Sequence, residues 1–474
     1  MKTVKIVVSL ILIILSQTVF SQCWKDIAAG QQHSLAIKAD GTLWAWGRNQ
    51  YGQLGDGTAA NKSISTQIGS DTDWASIYAY GFNSIAQKTD GSLWAWGDNS
   101  RGQIGDGNHG PLIFNSTPTL IGTDTDWLKI ASSGSQTYAI KSDGTLWGWG
   151  KGQYLGNGDL IDKYTPFQIE ADTNWSDIVS SLDNRLALKT DNSLWGWGQN
   201  SNGALGTGTI TTPISVPTQI GNNTNDWSKI STGTGNGAST SMMLKTNGSL
   251  WGMGMNERGT LGIGSTSAFV LIPGQVATDT DWVAIKTGGE SSFGLKANGT
   301  LWGWGLNNVG QLGDGTLVDK NVPVAIGIAV VWQKIVSTNG FVLALSSDNT
   351  LYSWGWNNYG HLGDGTLVNK NLPSLIGNSC PLSTTTFDSF NSFQLYPNPT
   401  ESSTTVSYTS NENTTVFITI ANSLGQLIYN VEQNSTIGAN QQNINLSSYS
   451  AGIYFVTLKS QHKRPTIKLI KNQS

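Results

Sequence analysis

Short runs of alternating apolar and polar residues follow one another along the chain, and no segment shows the spacing of an amphipathic helix. The most regular run is Gly41-Thr42-Leu43-Trp44-Ala45-Trp46-Gly47. It returns as GSLWAWG from Gly91, GTLWGWG from Gly144, NSLWGWG from Asn192, GSLWGMG from Gly248, GTLWGWG from Gly299 and NTLYSWG from Asn349. Each copy predicts a strand whose two aromatic positions, two residues apart, share one face. A unit repeated so regularly predicts an array of equivalent supersecondary units rather than one large core.

Each copy lies inside a longer module that opens with a Trp and an aliphatic residue three positions on. The opening residues are Trp24, Trp74, Trp127, Trp175, Trp227, Trp282 and Trp332, at spacings of 50, 53, 48, 52, 55 and 50. A second apolar strand follows, such as HSLAIK from His33 or QTYAIK from Gln136. An Asp-Gly, Asn-Gly or Asp-Asn pair then supplies the positive-φ positions of a tight hairpin. After the Leu-Trp-x-Trp-Gly strand come a Gly-rich loop, such as RNQYGQLGDGT from Arg48, and a short last strand, as in Pro217–Gly221 or Pro323–Gly327. Four short strands per module predict propeller blades. Of the 20 Trp residues, 19 occupy repeated positions and only Trp356 does not, so the 19 are read as packing.

The ends differ from the array. Residues 1–21 read as a signal peptide: Lys2 and Lys5 precede an apolar run, and small residues favour cleavage after Ser21. That run is too short to span a bilayer, so no integral membrane segment is expected in the mature chain. The array occupies 22–377, residues 378–392 form a Ser/Thr-rich linker, and 393–474 alternate as a small Ig-like β-sandwich. The expected fold is therefore all-β: a seven-bladed β-propeller plus a C-terminal sandwich.

Composition narrows the function. Only 12% of residues are charged while Gly reaches 57, which suits turn-rich extracellular structure better than a helical enzyme. The net charge is −4 with no large basic block, which argues against nucleic acid as a partner. The two cysteines, Cys23 and Cys380, bracket the array, and in an exported protein they predict a disulfide. Closing so long a loop is worth at most about 5–6 kcal/mol in the chain-entropy model.

The module pattern W-x-x-I…HSLAIK-x-DG-x-LW-x-WG-x-N-x-x-GQLG-DG resembles the repeat of the regulator of chromosome condensation family over residues 24–377. That resemblance implies a seven-bladed propeller. The C-terminal stretch resembles the sorting domain of the type IX secretion system of Bacteroidota. The match rests on Tyr396-Pro397-Asn398-Pro399, Ser423-Leu424-Gly425, Ala451-Gly452-Ile453-Tyr454 and Lys468-Leu469-Ile470-Lys471. It implies Sec export, passage of the outer membrane with the type IX machinery as partner, and removal or surface anchoring of the domain. The chain is therefore expected to be secreted or held at the outer-membrane surface.

No residue set converges on chemistry. The four histidines are scattered, and neither HExxH nor CxxC occurs, so neither metal nor cofactor is expected. The LGDG loops at Asp56, Asp106, Asp314 and Asp364 offer one carboxylate each, too few for calcium, and read as turns. What varies between modules is the loop after each Trp-Gly. Its candidate binding residues are Arg48, Tyr51, Arg101, Tyr154, Arg258, Trp356, Tyr359 and His361, of types that dominate binding hot spots or suit sugar rings. The expected function is thus a secreted protein- or glycan-binding module without enzymatic activity. The alternative is a polysaccharide-degrading enzyme using Asp183 and Glu290 as paired carboxylates. A remote alternative, implied only by the first resemblance, is guanine-nucleotide exchange.

Overall fold

The computed structural model describes residues 23–182, 184–210, 213–221, 224–233, 240–327, 330–377, 390–410, 413–422, 427–459 and 466–472. Among them every regular element is a strand. Residues 1–21 with the expected cleavage site after Ser21, Asp183, and Cys380 with its expected bridge to Cys23 lie outside the described residues. Cys23 itself is buried. The chain forms two compact units divided between Pro381 and Leu382, inside the stretch read as a linker.

Each of the seven modules folds into one four-stranded antiparallel sheet. In blade 1 the strands are Trp24–Ala29, His33–Lys38, Leu43–Gly47 and Lys62–Ile68, paired in that order. Blades 2 to 7 begin at Trp74, Trp127, Trp175, Trp227, Trp282 and Trp332 and repeat the scheme. The hairpin between second and third strands turns through Gly41 at φ 80° in blade 1 and through Asn192 and Asn349 at φ 64° in blades 4 and 7. Gly and Asn are the residues that tolerate this left-handed conformation. The last strand is longer than expected, Ile214–Ile220 in blade 4 and Lys320–Ile326 in blade 6. It is the sheet edge, so Pro217 and Pro323 fit inside it without costing a ladder hydrogen bond.

The opening strands of all seven blades line a central channel. Ring closure joins blade 7 to blade 1 by packing: Trp24, Ile27 and Trp46 share a core with Phe341, Leu343 and Leu351. Among the described residues each blade sheet is built from one contiguous module, with no strand exchanged between blades. Within blade 1 the opening Trp24 lies 6.1 Å from both Trp44 and Trp46, edge-on to the first and tilted to the second. The Lys that ends the second strand caps this trio. Lys88 in blade 2 sits about 5 Å above the rings of Trp74 and Trp94 and pairs with Asp71 at 2.6 Å and Asp73 at 3.1 Å. Blade 7 carries Ser346 instead, and Trp332 closes onto Tyr352 at 5.2 Å. The repeated Trp residues are therefore scaffold.

The loop between third and outer strands locks each blade to the next. The carbonyl of Gln53 in blade 1 accepts from Ser84 Oγ at 2.7 Å and Trp96 Nε1 at 2.9 Å, both in blade 2. The same two-donor junction forms at Gln103 (Thr137, Trp149), Thr260 (Ser292, Trp304) and His361 (Ser34, Trp46). In the second unit, Phe390–Tyr396, Ser403–Ser410 and Gly438–Asn445 form one sheet. Leu427–Ser435, Thr414–Asn422, Gly452–Lys459 and Thr466–Lys471 form the other. Their shared core holds Val406, Tyr408, Val416, Ile418, Val456 and Leu458.

Candidate binding site

In every blade but the third, the loop after Trp-Gly (Met-Gly in blade 5) is organised around a buried Asn. Asn49 donates to Asp56 at 2.9 Å and to the Thr58 carbonyl at 3.0 Å, and accepts from the Leu54 amide at 2.9 Å. Asp56 also accepts from the Thr58 amide at 3.0 Å and hydroxyl at 2.8 Å. The LGDG carboxylate is thus engaged within its own loop. A loop tied at so many points presents its outward side chains with little conformational freedom left to lose, which favours binding.

Those side chains converge where the first and last blades meet. The Arg48 guanidinium lies 4.8 Å from the Tyr359 ring of blade 7 and 5.1 Å from the Phe82 ring of blade 2. Tyr51 packs on Phe82 at 5.0 Å, and Trp356 meets Tyr359 at 5.9 Å. Arg48 Nε donates to Gln50 Oε1 at 3.0 Å, and its terminal nitrogens reach Gln32 and Gln50. Its partners are neutral amide oxygens, so the face keeps an uncompensated positive charge between aromatic rings. Phe82 also borders a cleft of about 390 Å³ lined by Gln31, Tyr80, Asp98, Ser100, Arg101 and Leu182. Asp98 there is held by the Ser100 amide at 3.0 Å and Gln103 Nε2 at 3.0 Å.

Of the residues expected to bind, the structure joins Arg48, Tyr51, Trp356 and Tyr359 in one patch and places Arg101 in the adjoining cleft. Tyr154 and Arg258 lie apart. Tyr154 bonds Gln199 across blades 3 and 4 at 2.9 Å, and Arg258 faces Asp319 at 4.0 Å. His361 does not reach the surface: it is fully buried against Phe341 and Trp356, below the patch. Its backbone carbonyl serves the junction, and its side chain fills space. Phe82 and Gln32 escaped sequence reasoning because they sit in the turn between first and second strands, not in the variable loop. Their divergence from the other copies at that turn was the available signal.

Burial holds two imidazoles neutral. His33 is buried with Nε2 2.9 Å from Ser84 Oγ, and burial, then the nearness of His361, lowers it to about 3. Burial likewise lowers His361 to about 3, against a smaller opposing effect of the Trp356 backbone. Among the described residues no group of three or more His, Cys, Asp or Glu is placed to hold a metal ion. No helix among them is long and apolar enough to cross a membrane.

Seven four-stranded blades around a channel, with an aromatic and cationic patch on one face, define a repeat-built β-propeller. Residues 40–84, 90–140, 191–238, 247–295, 298–345 and 348–383 match the Regulator of chromosome condensation (RCC1) repeat. A second form of that repeat matches 24–53, 74–103, 282–311 and 332–360. The chain belongs to the regulator of chromosome condensation repeat family. Residues 394–472 match the Secretion system C-terminal sorting domain, which implies engagement of the type IX secretion machinery and export to the medium or the cell surface.

The chain is 28% identical over 310 residues to the ultraviolet-B receptor UVR8 of Arabidopsis thaliana, covering 64% of this chain and 57% of the receptor. It is 38% identical over 85 residues to the RCC2 homolog of Danio rerio, 17% of each protein. The chain thus spans little more than half of the first relative and less than a fifth of the second. Human WBSCR16 superposes with a TM-score of 0.63 at 18% identity over 71% of this chain and 95% of its own. Prp20p of Saccharomyces cerevisiae gives 0.60 at 20% identity over 69% and 84%. At these identities the solved structures speak to the fold alone.

Proposed function

We propose that the propeller is a secreted or surface-displayed module that binds a protein or glycan on the face built by Arg48, Tyr51, Phe82, Trp356 and Tyr359, and acts by binding rather than catalysis. The observation that carries this reading is Arg48, set over two rings and bonded, among the described residues, to neutral amides. A partly desolvated guanidinium framed by aromatic rings is a strong anchor for an acceptor-rich partner. The sorting domain supports an extracellular setting. In the same reading the chain crosses the inner membrane by Sec export with cleavage after Ser21, and Cys23 pairs with Cys380 in an oxidising compartment. Reduction would then add two hydrogens to the mass of the mature protein, and an unchanged mass would remove the pairing.

The test is a binding screen of the mature protein against glycans and surface proteins of the same cell. Tyr359→Ala is expected to weaken any hit by about tenfold or more, whereas Arg258→Ala, outside the patch, leaves it unchanged. Turnover of a polysaccharide with no hit on either panel would overturn the proposal.

A further inference from the structure

The opening strands that wall the central channel carry five lysines against two carboxylates. Two residues after each opening Trp the seven blades place Asp26, Ser76, Lys129, Asp177, Lys229, Ala284 and Lys334. Lys334 pairs with Asp26, and Lys129 lies 3.9 Å from Asp177. Those contacts use both carboxylates. Two positions further in, the blades carry Ala28, Tyr78, Ala131, Val179, Ser231, Lys286 and Val336, so only blade 6 puts a charge there. Lys286 lines a cavity of about 270 Å³ together with Lys334, Tyr78, Ser132, Ser180 and Ser337. The whole chain has a net charge of −4, yet among the described residues no carboxylate forms an ion pair with Lys286.

We propose that the channel is a binding site for a small oxyanion, a phosphate or carboxylate group, held by the Lys286 ammonium beside Lys334 and the Tyr78 hydroxyl. A half-buried ammonium left without a counter-charge is poorly solvated, and an entering anion supplies the missing partner. Burial pushes Lys286 below the usual lysine range; Lys334 pushes the same way and Asp177 opposes. Burial, and less strongly Asp26 and Asp177, push Tyr78 up, against an opposing bond from Ser76, so its hydroxyl stays a donor. A cavity of this volume admits inorganic phosphate or a small dicarboxylate.

Calorimetric titration of the full mature chain with inorganic phosphate in one arm and succinate in another tests the proposal and distinguishes the two sources of the anion. Saturable binding of one anion per chain is expected in at least one arm. Lys286→Met should weaken it about ten- to a hundredfold, the usual scale for losing a charge-assisted hydrogen bond. Lys62→Met, which removes an equal charge from the outer strand of blade 1, should change it less than about twofold. If Lys286→Met does not fold, acylation of Lys286 in the unaltered protein, read by mass spectrometry, should slow when the anion is present. Absence of saturable binding in both arms, equal binding by Lys286→Met, or no protection of Lys286 overturns the site.

Discussion

At the scale of single residues, the two buried histidines give the fold a pH limit. An imidazole held neutral at about 3 in the fold binds fewer protons below pH 6.5 than it does in the unfolded chain. The associated stability is present in full above about pH 6.5 and drains as the pH falls towards 3, by up to about 1.4 kcal/mol per pH unit for each ring. The melting temperature is therefore expected to fall steadily between pH 6.5 and pH 4. Three other blades carry Gln at the position of His361, as Gln53, Gln103 and Gln311. His361→Gln should flatten the acid slope, and a slope equal to that of the unaltered protein would count against this account.

At the scale of elements, the unit of cohesion is the junction in which one loop carbonyl accepts two hydrogen bonds from the next blade. Where a module departs from the repeat, a bond is missing. Blade 5 has Met253 in place of the second Trp, so the Ala204 carbonyl receives only Ser241 Oγ, at 2.8 Å. Met253→Trp should supply the absent Nε1 donor in a site that other blades already shape for an indole. The expected gain is about 1 kcal/mol in urea unfolding, and a loss of stability would show that the pocket has adapted to the thioether. Blade 7 differs in the other direction: Trp354 reaches the Gln311 carbonyl at 3.0 Å, but Val342 stands where a Ser or Thr would donate.

At the scale of the whole molecule, the seven junctions are unequal, and the one between blades 3 and 4 is built differently from the rest. The loop of blade 3 is shorter and has Gly152 where blade 1 has Asn49. Fully buried Arg185 replaces the Ser or Thr donor and reaches back to Gln136, with the Tyr138 ring 5.4 Å from its guanidinium. No carboxylate pairs with it among the described residues. A fully buried cation whose Nε and Nη1 find no hydrogen-bond partner among the described residues carries a desolvation cost that the other junctions avoid. The ring is thus expected to open here first. Backbone amides of Asn184–Lys189 should exchange hydrogen about tenfold faster than those of Asn83–Lys88 in blade 2, and equal protection of the two strands would refute the difference.

Local signals in the chain were enough to determine the blade. Asp-Gly and Asp-Asn specify the hairpin, the alternation of Leu-Trp-x-Trp specifies a strand with one aromatic face, and the spacing of the opening Trp residues counts seven units. These properties depend on neighbours a few positions away, so they are written in the sequence. Which loops share a surface is not, because it depends on closure of the ring. Tyr359 and Arg48 stand at opposite ends of the array and meet only because blade 7 packs on blade 1. Closure also buries His361, which its loop position had suggested was exposed, while the packing of blade 2 on blade 1 brings Phe82 in from a different turn. The same holds for Lys286, one lysine among many until seven opening strands converge on one axis and leave its charge inside a channel.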